Sequence, residues 1–299
     1  MALKRKKSLS KYNMNNTQKH QIRKEILRLR DELGRSQAQI ATQVGISSAN
    51  ITQILKENWE SISDELWRKV ATSLNISWAD AWQTAETANY KKVMGVCSFS
   101  QSKSVAKMIT FDAGFGKTHA LQAYAKKHKN VFYLQCERHY TRKAMLLKLS
   151  KVMGLQLQGS VTEMIDDIIE RLKSLEKPLL ILDEYDKVLE KQGVFDLFKT
   201  FYDSTLGFAG FVLCGTTALQ QELGKRVKAN KIGYVELFSR VGREYVQLSH
   251  ISNTDVKLVC NANGIADIET IKEIQVQLGQ GDMRQLKNII LEHLTAKEL

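Results

Sequence analysis

The sequence predicts an α/β protein: a parallel sheet flanked by helices, preceded by an all-α domain with a helix-turn-helix and followed by a small helical lid. Three observations predict it. From about residue 107 to 248, short apolar runs alternate with amphipathic stretches, as strands and helices do in a layered sheet protein. A Gly-x-Gly-Lys-Thr turn joins the first apolar run to the first helical stretch. On both flanks the strand signal is missing and only helical periodicity remains.

Composition narrows the class. The chain has 299 residues, which at roughly 150 per domain suggests about two domains. With 43% hydrophobic and 25% charged residues it has globular composition, which argues against wholesale disorder. Apolar runs such as 179–182 fall far short of the ~20 residues that cross a bilayer, and residues 1–30 hold no apolar signal core. A cytoplasmic protein with no membrane partner is therefore expected. Cys97, Cys136, Cys214 and Cys260 are too scattered for a zinc site or a disulfide framework and read as free thiols.

The net charge is +12, from 44 basic and 32 acidic residues. Its distribution is uneven: residues 1–30 hold ten Lys or Arg and a single acid, Glu25, so they carry +9 and the remaining residues +3. A basic arm on a nearly balanced body points to a polyanion, most simply nucleic acid.

In chain order, residues 1–18 read as a flexible basic arm, rich in Lys, Ser and Asn and without period. Residues 19–83 read as a helix-turn-helix domain. Its first helix is marked by Ile22, Ile26, Leu29 and Leu33. Over 37–56 the apolar set Ile40, Val44, Ile46, Ile51 and Ile54 surrounds a small Ala41 and a turn at Gly45. Residues 84–90 read as a connector. The core, 84–248, takes strands at 107–111, 131–135, 179–182, 208–214 and 245–248, with helices at 118–127, 143–153 and 161–175. Residues 249–299 hold helical segments at 254–262, 268–278 and 283–294 and read as the lid. There is no internal repeat, and the lone proline, Pro178, suggests no function.

The chemistry concentrates in Ala113-Gly114-Phe115-Gly116-Lys117-Thr118, with His119 completing the cofactor-binding run. Glycines let backbone amides curl around phosphate oxygens, and the helix start adds its positive dipole end. Lys117 would reach the outer phosphates, and Thr118 would hold a magnesium ion. About 65 residues on, the apolar strand 179–182 ends in Asp183 and Glu184. Asp183 would share the magnesium and Glu184 would activate the attacking water. Together these features predict an ATP site.

These two motifs resemble those of the AAA+ ATPases, with one departure: Phe111 stands where that family's loop begins with glycine. The resemblance implies three further roles. Thr216, with Thr217 as alternative, would sense the γ-phosphate at the end of strand 208–214. Arg240, in Phe238-Ser239-Arg240-Val241, would be an arginine finger acting on the neighbouring subunit, with Arg243 as runner-up. Arg284, in Gly281-Asp282-Met283-Arg284, would reach the phosphates from the lid. A finger acting between subunits implies a homo-oligomer, as a ring or an open helix.

In the amino-terminal domain, which resembles phage-repressor modules, Ser47, Ser48, Thr52, Gln53 and Lys56 would face DNA. Lacking arginine, that face suits phosphate contacts better than base discrimination. A protein-interaction use of the same helices is the alternative. The domain order and length are similar to the MuB-type transposition target-selection ATPases, related to TnsC, TniB and IstB. That resemblance implies an ATP- and magnesium-dependent filament or ring on double-stranded DNA that recruits a DDE-type transposase and is dismantled by hydrolysis. Arg138, Arg142 and Lys143 are candidate DNA contacts in the core, alongside the arm at residues 4–11. A nucleotide-gated transcription regulator and a helicase-loading replication ATPase are the alternatives.

Overall fold

The computed structural model describes residues 14, 16–74, 76, 82–156 and 158–296. Nearly all of the expected basic arm, including residues 4–11, lies outside them. The chain divides into two compact units, Met1–Ala81 and Trp82–Leu299.

The first unit is helical. It comprises α1 (Asn16–Asp31), α2 (Gln37–Val44), α3 (Ser48–Leu55) and α4 (Asp64–Ser73). Ile22, Ile26, Ile40, Ile51, Ile54 and Trp67 are its fully buried large side chains. The start of α2 is fixed by a capping box: the Ser36 hydroxyl accepts from Gln39 N–H while the Gln39 side chain accepts from Ser36 N–H. Gly45, at φ 72°, ends α2 in the left-handed conformation, and three residues later α3 begins. Glycine is the residue that takes this backbone without a Cβ penalty.

The second unit is built on a five-stranded, all-parallel sheet in the order β2-β3-β4-β1-β5. The strands are β1 (Ala106–Thr110), β2 (Val131–Gln135), β3 (Leu179–Asp183), β4 (Gly210–Gly215) and β5 (Val246–Gln247). Alternate residues face opposite layers. Leu180, Leu182, Phe211 and Leu213 join one core, while Leu179, Ile181, Val212 and Cys214 join the other. The first core is covered by α7 (Arg142–Met153), α8 (Val161–Lys173), α9 (Gln192–Ser204), α10 (Thr217–Lys228) and α11 (Tyr234–Arg240). The second is covered by α5 (Ala88–Lys103) and α6 (Lys117–Lys127). With both faces buried, continuous apolar strands are required.

Four of these helices, α5, α9, α10 and α11, go beyond the elements expected from sequence. The expected connector over 84–90 already contains the first turn of α5. Its buried Tyr90, Val93, Cys97 and Ser100 recur at helical spacing, but mostly polar residues separate them.

The lid is α12 (Asn253–Ala262), α13 (Ile268–Leu278) and α14 (Met283–Ala296), packed around its own apolar cluster. Trp82 and Ala85 join that cluster, and Gln83 exchanges hydrogen bonds with Asn263. The strap entering the core is thereby tied to the lid. Among the described residues no helix is long and apolar enough to cross a membrane.

Candidate functional site

In a parallel sheet the carboxyl ends of the strands share one edge, which is where doubly wound proteins place their ligands. Here β1 feeds the glycine loop, β3 ends at Asp183 and β4 ends at Gly215. Those ends line a cavity of about 470 Å³ closed on one side by the lid. Gly114, Phe115, Gly116, Lys117, Thr118 and His119 line it from the loop and α6, and Asp183, Glu184, Thr216 and Arg284 line it from elsewhere. Ten residues singled out from separate stretches of sequence thus meet at one cavity.

The loop is shaped by Gly114 at φ 89° and Gly116 at φ 84°, both left-handed. A Cβ on Gly114 would overlap the Asp282 carboxylate. That acid accepts hydrogen bonds from Arg284 N–H and Gln285 N–H and caps α14, while Met283 N–H donates to the Gly114 carbonyl at 3.0 Å. The lid helix therefore starts on the loop itself. Phe111 keeps a negative φ, since it is absent from the left-handed positions. Its ring meets Phe115 at 4.9 Å and His250 at 5.5 Å, edge to face. The aromatic side chain thus packs between the loop and the segment leading to the lid.

Lys117 is buried, and its ammonium donates to the Phe111 and Asp112 carbonyls at 2.6 Å each. Burial pulls its pKa below the usual lysine value, against the pull of Asp183, Asp186 and Asp112. The Thr118 hydroxyl donates to Asp183 Oδ2 at 2.7 Å. The same oxygen accepts from the Tyr133 hydroxyl of β2 at 2.9 Å, and Asp183 Oδ1 accepts from Glu184 N–H at 2.9 Å. Glu184 holds a left-handed backbone, φ 53°. Its carboxylate is ion-paired with Lys187, which also approaches Glu137 at 3.5 Å. Partial burial would raise the Glu184 pKa, but hydrogen bonds from Lys187 and Gln135 outweigh it and hold the carboxyl below its ordinary value.

Beyond the acid pair, Asp186 accepts from Thr216 through Oδ2 at 3.3 Å, and its Oδ1 is buried with no hydrogen-bond partner. Thr217 donates instead to Asp112 at 2.8 Å. On the strap side, Thr84 and His119 are hydrogen-bonded at 2.8 Å. Burial, then Lys126 and Lys287, lower the His119 pKa and favour its neutral ring. Lys287 lies over the Trp82 ring at 5.3 Å.

The donor set fits a nucleotide with a hard cation. Left-handed glycines at a helix start suit phosphate, and a hydroxyl with a carboxylate suits magnesium. Among the described residues no three His, Cys, Asp or Glu side chains are grouped to hold a metal alone. An ion here would complete its shell with phosphate and water.

The remaining candidates of the second unit are not among the residues that line this cavity. Arg240 makes a two-pronged bond to Asp203, Nε to Oδ1 at 2.6 Å and Nη2 to Oδ2 at 2.7 Å, while Arg243 is exposed with φ 56°. Arg138, Arg142 and Lys143 are all exposed around the turn between β2 and α7. In the first unit, Ser48 and Lys56 are exposed and Thr52 and Gln53 half-buried. Thr52 donates to the Gln37 side chain at 3.1 Å, and Ser47 is engaged as the cap of α3. Sequence reasoning missed Tyr133, Asp186 and Lys187.

An AAA-domain family model matches residues 107–223. The chain is 23% identical over 252 residues to the Mu-like prophage FluMu DNA transposition protein B of Haemophilus influenzae, covering 80% of this chain and 84% of that protein. Among solved structures it is similar to the Aeropyrum pernix Orc1 protein in complex with DNA (TM-score 0.53, 14% identity), covering 71% of this chain but only 60% of that one. It is also similar to a Walker-type ATPase of Pyrococcus abyssi (TM-score 0.52, 13% identity), covering 74% and 76%. The core has the AAA+ P-loop fold.

Proposed function

We propose that this chain, an AAA+ protein similar to the Mu-type transposition B proteins, is an ATP-dependent, largely sequence-nonspecific DNA-binding ATPase. It assembles as a filament or ring on duplex DNA, marks that DNA as a transposition target and recruits a DDE-type transposase, and hydrolysis takes the assembly apart. One observation carries the reading. A glycine loop, acid pair and lid arginine line one cavity in a chain that aligns over 80% of its length with a DNA transposition protein.

The roles follow from position. Loop amides and Lys117 bind phosphate, after Lys117 leaves the two carbonyls it now holds. Thr118 and Asp183 hold magnesium, which when bound neutralises charge on the transferring phosphate. Glu184, kept ionised by its pairing with Lys187, orients and deprotonates the attacking water. Thr216, held by Asp186, senses the outer phosphate, and Arg284 closes on it from α14. Arg240 serves the neighbouring subunit's site, which requires it to exchange Asp203 for phosphate. The exposed Arg138, Arg142 and Lys143 grip DNA phosphates. The outer face of α3, with Ser48, Thr52, Gln53 and Lys56, adds a second contact of low sequence preference.

The deciding experiment is binding to random-sequence duplexes of increasing length with ATP, with ADP and without nucleotide, imaged by electron microscopy. Cooperative, ATP-dependent coating is expected. Tight binding at one short sequence regardless of nucleotide would overturn the reading in favour of a transcription regulator.

A further inference from the structure

Asp183 has more hydrogen-bond donors than burial alone requires. The residue is 1% exposed, so each carboxylate oxygen needs a partner. One donor apiece would suffice, and Thr118 Oγ1 on Oδ2 and Glu184 N–H on Oδ1 supply them. A third donor, the Tyr133 hydroxyl, lies 2.9 Å from Oδ2. It comes from the neighbouring strand, where Tyr133 pairs with Ile181 two residues before Asp183. Gln122 of α6, four residues beyond Thr118, donates to the Tyr133 oxygen at 3.5 Å. The Asp183 carboxylate is thus held from β2 and from α6 together.

We propose that Tyr133 is a positioning residue for the divalent cation that accompanies the nucleotide: its hydroxyl fixes the Asp183 carboxylate so that the Thr118 hydroxyl gives its proton to Oδ2 and keeps its oxygen lone pairs for the ion. A carboxylate oxygen accepts about two hydrogen bonds, so Thr118 and Tyr133 together fill Oδ2. Without Tyr133 the carboxylate keeps Thr118 and the Glu184 N–H but loses its hold from β2, so its last torsion and the Thr118 rotor are fixed less tightly. Groups that orient metal ligands from behind commonly set metal affinity by about 10- to 100-fold.

The inference rests on the nucleotide-site reading above, and the test separates the two. Tyr133→Phe removes one oxygen atom and keeps the ring that packs against the sheet. Affinity for a fluorescent ATP analogue is measured in EDTA and across a magnesium chloride titration, using full-length wild type and variant. The expected result is unchanged affinity in EDTA and a roughly 10-fold higher magnesium concentration at half-effect in the variant. Coincident magnesium curves would overturn the role of Tyr133. Equal loss of affinity with and without magnesium would also overturn it, because the hydroxyl would then serve the fold. A wild type that binds no nucleotide, or binds it without any magnesium effect, would overturn the nucleotide-site reading itself.

Discussion

Arg240 and Asp203 face each other in a two-pronged pair, with the arginine side chain 20% exposed and the aspartate 45%. In an isolated subunit the guanidinium is therefore committed to its own chain. The pair raises the Arg240 pKa through the Asp203 hydrogen bond, so its charge is constant over any working pH.

Such a partly exposed pair contributes at most about 1 kcal/mol to stability, so Asp203→Ala should fold and release Arg240. Arg240→Ala should lower hydrolysis by the DNA-bound assembly by about 1,000-fold or more, the usual weight of an arginine finger, with nucleotide binding intact. Asp203→Ala should not lower it. Steady-state ATPase assays on saturating DNA distinguish these outcomes. If Arg240→Ala leaves turnover intact while Arg243→Ala abolishes it, the finger is Arg243.

The Glu184 pKa is lowered, chiefly through Lys187 and Gln135 acting against burial. A lowered carboxyl stays ionised as pH falls through the ordinary glutamate range, so the acidic limb of kcat should lie below that range. Lys187→Met removes the cation, raises the Glu184 pKa and moves that limb to higher pH. Profiles of kcat between pH 4 and 8 test the sign, and superimposable limbs would refute it.

Gly114 combines a left-handed backbone with close approach to Asp282. Gly114→Ala should cost about 1 to 2 kcal/mol from the backbone alone and push Asp282 off the loop, weakening nucleotide binding. In Gly114→Ala/Asp282→Gly the overlap is gone, so part of the affinity should return in an equilibrium titration. No recovery would place the whole defect in the loop backbone.

Neutralising Arg138, Arg142 and Lys143 together should weaken DNA binding and flatten the log-log salt dependence by up to about 2.7, at roughly 0.9 for each phosphate no longer neutralised. Fluorescence anisotropy at several salt concentrations measures this. An unchanged slope would remove the turn after β2 from the DNA interface.

How much of this was legible in sequence depended on whether a feature is local. The glycine loop and the strand ending in Asp183-Glu184 are contiguous signals, and Lys117, Thr118, Asp183, Glu184 and Arg284 do meet around one cavity. Tyr133 escaped notice because its contact with Asp183 depends on how β2 registers against β3, which the periodicity of either strand leaves open. Lys187 and Asp186 escaped because the chain enters a 3₁₀ turn at Tyr185–Lys187 after the left-handed Glu184. Only that turn brings Lys187 onto Glu184 and Asp186 beside Thr216. Phe111 read as a departure from the family's loop. Its ordinary backbone and edge-to-face contacts show a packing role that no neighbouring residue announces.

The hydrogen bond from Met283 N–H to the Gly114 carbonyl joins the first residue of the lid helix to the loop's own backbone. A lid that swings away from the loop must break that bond, so lid opening and release of the loop backbone are coupled. In deuterium the Met283 amide should therefore exchange in step with the loop rather than with the interior of its helix. It would serve as a clock for how often an empty subunit opens to admit nucleotide.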